Sequence, residues 1–306
     1  MKSVSFATFG GPEVIEVIEE ADPVAGPGQV LVAVEAASIN PVDVTVLSGA
    51  VAQKMPEGAT PPYVVGWDLA GHVTAVGDGV DPALVGSYVV GFVPWFKKGR
   101  GSQSSLVVLD QDQFAEAPDT ISPEELTTLG LNALTAFHVV ATVDPQPGEI
   151  ILVTGATGAV GGYVVEFASK RGATVWAMAK DEDAELVTGF GAARQVPRSA
   201  ADAVAELPAG ADVVIDTASL GTGILGAVRD GGRYFTVSTP IDGERGIEVK
   251  RVGVHADAAD LATIVGLAAE GELALRVERT FPVEEARDAY DFFVSGSHRG
   301  RVVLLF

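Results

Sequence analysis

Residues Gly155-Ala156-Thr157-Gly158-Ala159-Val160-Gly161-Gly162 have the type and spacing to bind a pyrophosphate. Glycines let the backbone approach a ligand closely, and the first N–H groups of a helix are unpaired and lie at its positive end. The β-branched run Ile150–Thr154 precedes this turn, and the helical spacing of Val160, Val164, Phe167 and Ala168 follows it. Residues 174–178 read as a second strand. Strand, turn, helix and strand at these distances form a βαβ unit that takes a dinucleotide. Ala156, Thr157, Gly158, Ala159, Val160 and Gly161 are its expected contacts.

The far end of such a ligand lies at the end of the second strand, where an acid usually binds the ribose hydroxyls. Here that end reads Met178-Ala179-Lys180, without an acid at Met178. Lys180, and Arg198 after the third strand at Arg194–Pro197, suit a 2′-phosphate, so NADPH is the expected cofactor. Asp181, Glu182 and Asp183 crowd Lys180 with negative charge. Thr217, Val237 and Ser238 follow later strands, at carboxyl ends where open α/β sheets bind ligands. Asp216 reads as a structural strand-end residue.

Metal chemistry finds little support. The chain has no cysteine, and His72, His138, His255 and His298 are scattered without ligand spacing. No metal is expected. The net charge of -21, from 41 acidic and 20 basic residues, argues against nucleic acid and anionic membranes as partners. No run reads as a membrane helix and no signal peptide is expected, so the cytoplasm is the default location.

The 306 residues suggest two domains. Up to about residue 118 the pattern is strands, at 14–20, 29–35, 71–77 and 88–94, with one short helix at Pro41–Leu47. Ser122, Pro123 and Glu125 form a capping box that opens a long helix towards residue 142, stopped by Asp144-Pro145-Gln146-Pro147-Gly148. Strands at 150–154, 174–178, 212–216, 233–237 and 248–254 then alternate with helices, the pattern of a parallel doubly wound sheet. A helix at 257–270, a strand at 277–280, a helix at 283–295 and a last strand at 301–306 are expected to return to the first domain.

Spread over nearly the whole chain are Gly10-Gly11-Pro12-Glu13-Val14, Asn40-Pro41-Val42-Asp43, Gly66-Trp67-Asp68-Leu69-Ala70-Gly71, Leu134-Thr135-Ala136-Phe137, Gly231-Gly232-Arg233 and Gly300-Arg301-Val302-Val303-Leu304. In order and spacing they resemble the medium-chain dehydrogenase/reductases, within them the zinc-free quinone oxidoreductase (zeta-crystallin-like) branch, which is related to enoyl reductase modules. The chain departs from that pattern at Ala159, at Glu166 and at Val44-Thr45, where many relatives carry a Tyr or Lys donor. The turn also spells the Thr-Gly-x-x-Gly-x-x-Gly of extended short-chain dehydrogenases, but no tyrosine has Lys four positions later.

The resemblance implies an α/β protein: a GroES-like, β-rich catalytic domain from residues 1–118 and 257–306, and a Rossmann domain from 119–256. It also implies a cleft between them and a homodimer paired through the edge strand near 248–254. By motif, the zinc-ligand positions of metal-bearing members fall at Asn40, Trp67, Asp68 and Leu131. The resemblance places Asn40, Thr135 and Tyr63 as hydrogen-bond donors to a substrate carbonyl, with Asn132 beside them and Trp67, Phe92 and Trp95 as apolar walls. Asn40 could instead cap the short helix, and the aromatic residues could be core. The expected activity is zinc-independent, NADPH-dependent hydride transfer to the double bond of a quinone, enone or enoyl compound. The alternatives are a carbonyl reductase and a low-turnover NADPH-binding protein.

Overall fold

The computed structural model describes residues 1–296 and 298–306. They divide into two compact units, Met1–Leu131 with His255–Phe306, and Asn132–Val254. The first unit begins with β1 (Lys2–Phe6), β2 (Glu16–Glu19) and the long β3 (Gln29–Ile39), whose buried residues alternate before both faces close over at its end. Next come α1 (Pro41–Leu47), β4 (Tyr63–Val64), β5 (Asp68–Val76), β6 (Tyr88–Phe92), α2 (Trp95–Lys98), β7 (Leu106–Asp110) and β8 (Phe114–Glu116).

The helix opened by Ser122 is α3 (Pro123–Thr128). The Ser122 hydroxyl accepts from the Glu125 N–H, and the Glu125 carboxylate accepts from the Ser122 N–H. It runs through a π turn at Leu129–Ala133 into α4 (Leu134–Val143). A Cβ on Gly130 would stand 2.5 Å from the Gly91 carbonyl oxygen, so glycine there lets the helix lie against β6. This corrects two expectations. The first unit extends past residue 118, because α3 packs on β3 and β5. Also, Pro123–Val143 is long and apolar enough to cross a membrane, yet most of it is buried within the protein, as in a core helix.

The second unit carries β9 (Ile150–Thr154), α5 (Ala159–Lys170), β10 (Thr174–Ala179), α6 (Ala184–Gly189), β11 (Arg194–Pro197), α7 (Ala200–Glu206), β12 (Ala211–Asp216), β13 (Val228–Thr236) and β14 (Glu248–Arg251). All six strands are parallel, in the order β11-β10-β9-β12-β13-β14, the doubly wound order of a Rossmann sheet. Not every link is helical. A 3-10 stretch, Gly221–Ala227, joins β12 to β13, and residues 237–247 contain no helix. Gly221, Gly223 and Gly226 in the first link, and Pro240, Gly243 and Gly246 in the second, disfavour one.

The chain then returns to the first unit with α8 (Ala258–Ala269), β15 (Val277–Pro282), α9 (Ala286–Val294) and β16 (Arg301–Leu305). The larger sheet of this unit runs β15-β16-β3-β5-β6-β8, with β7 also pairing β3; a smaller one runs β2-β1-β4.

A buried polar cluster ties β3, α1, β5 and β16. Asp68 accepts from the Ser38 N–H (3.0 Å), the Ser38 hydroxyl (2.7 Å) and Asn40 Nδ2 (3.0 Å). Asp43 accepts from the N–H groups of Asn40 (2.8 Å) and Gly66 (3.0 Å). Arg301 donates to the Ile39 carbonyl and to Asn40 Oδ1. Two carboxyls therefore lie out of water in the field of one guanidinium. Burial and the neighbouring Asp68 push Asp43 up to about 8, against the pull of its two N–H donors and Arg301. Burial also raises Asp68, opposed by Arg301, Ser38 and Asn40.

A carboxyl that binds its proton more tightly when folded stabilises the fold at low pH and loses that contribution as pH rises through the folded value. The loss runs from the ordinary value up to about 8, so the melting temperature should fall between about pH 5 and pH 8 and level off above. Asp43→Asn should start lower but show a flatter slope, because it has no proton to lose there. Differential scanning fluorimetry across that range checks this; parallel slopes would count against it.

Candidate functional site

The dinucleotide turn follows from local chemistry. β9 ends at Thr154, Gly155 reverses the chain at φ +61, and Gly158 leads into α5 in an extended conformation. A Cβ on Gly161 would stand 2.1 Å from the Gly155 carbonyl oxygen, so only glycine allows α5 to approach β9 this closely. Ala156 is buried, whereas Thr157, Gly158, Ala159 and Val160 are partly exposed. The first N–H groups of α5 are thus presented beside the end of β9, where the strand order reverses. These residues fit a nicotinamide dinucleotide.

Lys180 and Arg198 are brought together. β10 and β11 pair in parallel, with Ala179 opposite Pro197, and each strand is followed directly by its cation. Both side chains are exposed; Lys180 meets the Glu182 carboxylate at 3.2 Å. Met178 is buried in the core beside Val196.

At the ends of β12 and β13 the polar groups largely serve the protein itself. The Thr217 hydroxyl donates to the Thr154 carbonyl (2.7 Å). The Ser238 hydroxyl lies 3.1 Å from that of Thr236, and the Ser238 carbonyl accepts from Arg251 Nε (2.8 Å). Val237 is half-buried beside them. The Asp216 carboxylate is taken up by hydrogen bonds within the protein. Sequence reasoning missed Thr154 and Tyr234, both of which donate to Asp216. The available signal was the hydroxyl of Thr154 immediately before the glycine turn.

In the first unit, Asn40 does not present a free amide to a ligand. It is fully buried, its Nδ2 donates to Asp68 and to the Ser38 carbonyl, and its Oδ1 accepts from Arg301. It precedes α1 as the cap position, where its backbone N–H and the Asp43 carboxylate pair. The expectation of Asn40 as a substrate donor is corrected on this ground. The aromatic walls also turn out to be core: Trp67, Phe92 and Trp95 are buried, and Trp95 Nε1 donates to the Val64 carbonyl at 2.7 Å. Trp67 meets Phe96 edge-on, with ring centroids 5.0 Å apart. Tyr63 is half-buried, stacked on the exposed Phe9 and tilted against Phe6.

In the second unit, Asn132 lies on the π turn and Thr135 on the first turn of α4; both are buried.

Among Asn40, Trp67, Asp68 and Leu131, only Asp68 is an anionic donor, and it is held by three hydrogen bonds. Among the described residues, no group of three or more His, Cys, Asp or Glu could hold a metal ion. The donor set does not fit zinc.

The alcohol dehydrogenase GroES-like domain family matches residues 26–119, and the zinc-binding dehydrogenase family matches residues 190–304. A phenolphthiocerol/phthiocerol polyketide synthase of Mycobacterium tuberculosis is 31% identical over 307 residues, 90% of this chain, but the chain spans only 13% of that protein's length. The mitochondrial NAD(P)H oxidoreductase RTN4IP1 of Mus musculus is 28% identical over 325 residues, covering 91% of this chain and 82% of that protein. The solved quinone oxidoreductase from Coxiella burnetii shares the fold over 100% of this chain and 99% of its own, with a TM-score of 0.90 at 23% identity. With a GroES-like unit and a Rossmann sheet, the chain belongs to the medium-chain dehydrogenase/reductase superfamily as a quinone-oxidoreductase-like protein, and that family binds a nicotinamide cofactor.

Proposed function

We propose that this chain is an NADPH-dependent reductase that delivers hydride to the electron-poor double bond of a quinone, an enone or an enoyl thioester, without zinc. One observation carries the reading: at the four positions that the motif aligns with metal ligands stand Trp67, Leu131 and the hydrogen-bonded pair Asn40 and Asp68, with Arg301 donating to Asn40. Reduction of a conjugated double bond spreads negative charge onto a carbonyl oxygen as an enolate, which neutral donors can stabilise. Reduction of a simple ketone leaves a localised alkoxide, which asks more of its surroundings. A quinone oxidoreductase of Mus musculus among the relatives agrees with this choice.

NADPH, when bound, supplies the hydride. The turn from Gly155 to Gly161 and the start of α5 hold its pyrophosphate, and Lys180 with Arg198 holds its 2′-phosphate. Thr135 is the donor that the second unit offers to the substrate oxygen; Asn40 is not a donor, since its amide is engaged elsewhere. The proton for the α-carbon comes from water. The edge strand β14 of the parallel sheet supports a homodimer, because an uncovered edge invites pairing.

Replacing both Lys180 and Arg198 with Ala should weaken NADPH far more than NADH, since charge-assisted phosphate contacts are worth about 1.5–3 kcal/mol each. Fluorescence titration with both cofactors checks this; a wild type that binds NADH as well as NADPH would sink the assignment.

For the reaction, deuteride from NADPH should appear at the β-carbon of an enone product and solvent deuterium at the α-carbon. Elemental analysis of the active protein should find no stoichiometric zinc. Thr135→Val should lower turnover by about 10²–10³, the usual loss for one preorganised donor. Label on a carbinol carbon, or one essential zinc per chain, would overturn the reading.

Light scattering at micromolar concentration should give the mass of a dimer, and charge substitutions on β14 should shift it to monomer. A monomeric wild type counts against pairing there.

A further inference from the structure

The carboxyl ends of β9 and β12 are tied together more tightly than strand pairing requires. The parallel register sets Asp216 beside Thr154. The buried Asp216 carboxylate accepts from the Thr154 hydroxyl (2.5 Å) and the Ala218 N–H (3.1 Å) on Oδ1. On Oδ2 it accepts from the Tyr234 hydroxyl (2.6 Å) and the Gly221 N–H (2.9 Å). With both oxygens held, the carboxylate cannot rotate freely. The Thr154 hydroxyl, its proton given to Asp216, accepts in turn from the N–H groups of Thr217 and Ala218, each at 3.1 Å.

This chain of bonds reaches the glycine turn through Thr217. Its hydroxyl donates to the Thr154 carbonyl and lies 2.9 Å from where a Cβ on Gly155 or on Gly161 would stand. The hydroxyl therefore packs against both glycines on which the turn depends. None of Asp216, Tyr234 and Thr217 needs to touch a ligand to influence binding.

We propose that Asp216, Tyr234 and Thr217 are positioning residues for the dinucleotide turn, holding the donors at the start of α5 in their binding arrangement before the cofactor arrives. The inference rests on the cofactor reading above. Its physical content is preorganisation: order already present in the free protein is not lost on binding. Tyr234 fixes the carboxylate, the carboxylate fixes Thr154 and the backbone from Ala218 to Gly221, and Thr217 closes on the glycines.

The test uses Tyr234→Phe and Thr217→Val, which remove one hydroxyl each and keep the shape, and Thr217→Ser, which keeps the hydroxyl. Dissociation constants are measured for NADPH and for 2′-AMP, a probe of the adenosine end alone, together with the melting temperature. The NADPH constant should rise about five- to tenfold in the first two variants, the scale of one net hydrogen bond. Thr217→Ser should restore it, and 2′-AMP binding should stay within about twofold of wild type. An unchanged NADPH constant overturns the proposal. So does an equal loss of NADPH and 2′-AMP binding alongside a large drop in melting temperature, which marks general damage. A wild type that binds no nicotinamide cofactor overturns the cofactor reading first, and is recognised before any variant is made.

Discussion

The second unit depends on one close approach, the carbonyl oxygen of Gly155 against the Cα of Gly161. Because residue 161 has no Cβ, α5 can begin directly beside the end of β9. β9 is flanked by β10 and β12, and α5 buries Val164, Val165, Phe167 and Ala168. α4 packs on α5 in turn. A single methyl at this contact would push α5 outward, an overpacking that typically costs about 1–3 kcal/mol. It would also carry the helix N-terminus away from the strand end, so the same constraint governs both the packing of α5 and where its first N–H groups lie.

Around Asn40 and Asp68 the fold builds a buried polar centre from its own side chains. Asn40 and Asp68 remain polar, but Arg301 from the last strand supplies the positive charge. Through its bonds to the Ile39 carbonyl and Asn40 Oδ1, the buried Arg301 anchors β16 to the end of β3, beside the pairing of Val302 with Ile39.

What could be read from the sequence was local. The short helix at Pro41–Leu47 and the β-branched run Ile150–Thr154 have the bounds of α1 and β9. The capping box at Ser122 is likewise local. The π turn was not legible, because it answers to the contact of Gly130 with Gly91 on another strand. Asn40 was misread for the same reason: the partners that occupy its amide, Asp68 and Arg301, are far away in the chain. Trp95 has the composition of a pocket wall, and only the fold shows its indole N–H bonded to Val64. Tyr234 drew no notice because nothing near it in sequence marks its hydroxyl; β13 delivers it to Asp216.

Two buried aspartates shift in opposite directions, and the difference lies in the donors rather than in salt bridging. Burial would raise both. Asp216 has no cation among its hydrogen-bond partners, yet two hydroxyls and backbone N–H groups hold it below the usual carboxylate range. Asp43 has Arg301 nearby but only two backbone donors and a second carboxyl as neighbour, and it is pushed up to about 8. Hydrogen bonds aimed at the charged form stabilise it at contact distance, whereas one guanidinium divided between two carboxyls leaves both short of neutralisation. Asp216 therefore remains an anion that can hold four donors around the turn. Asp43 is suited to packing the start of α1, where a carboxyl that keeps its proton adds no uncompensated charge to the core.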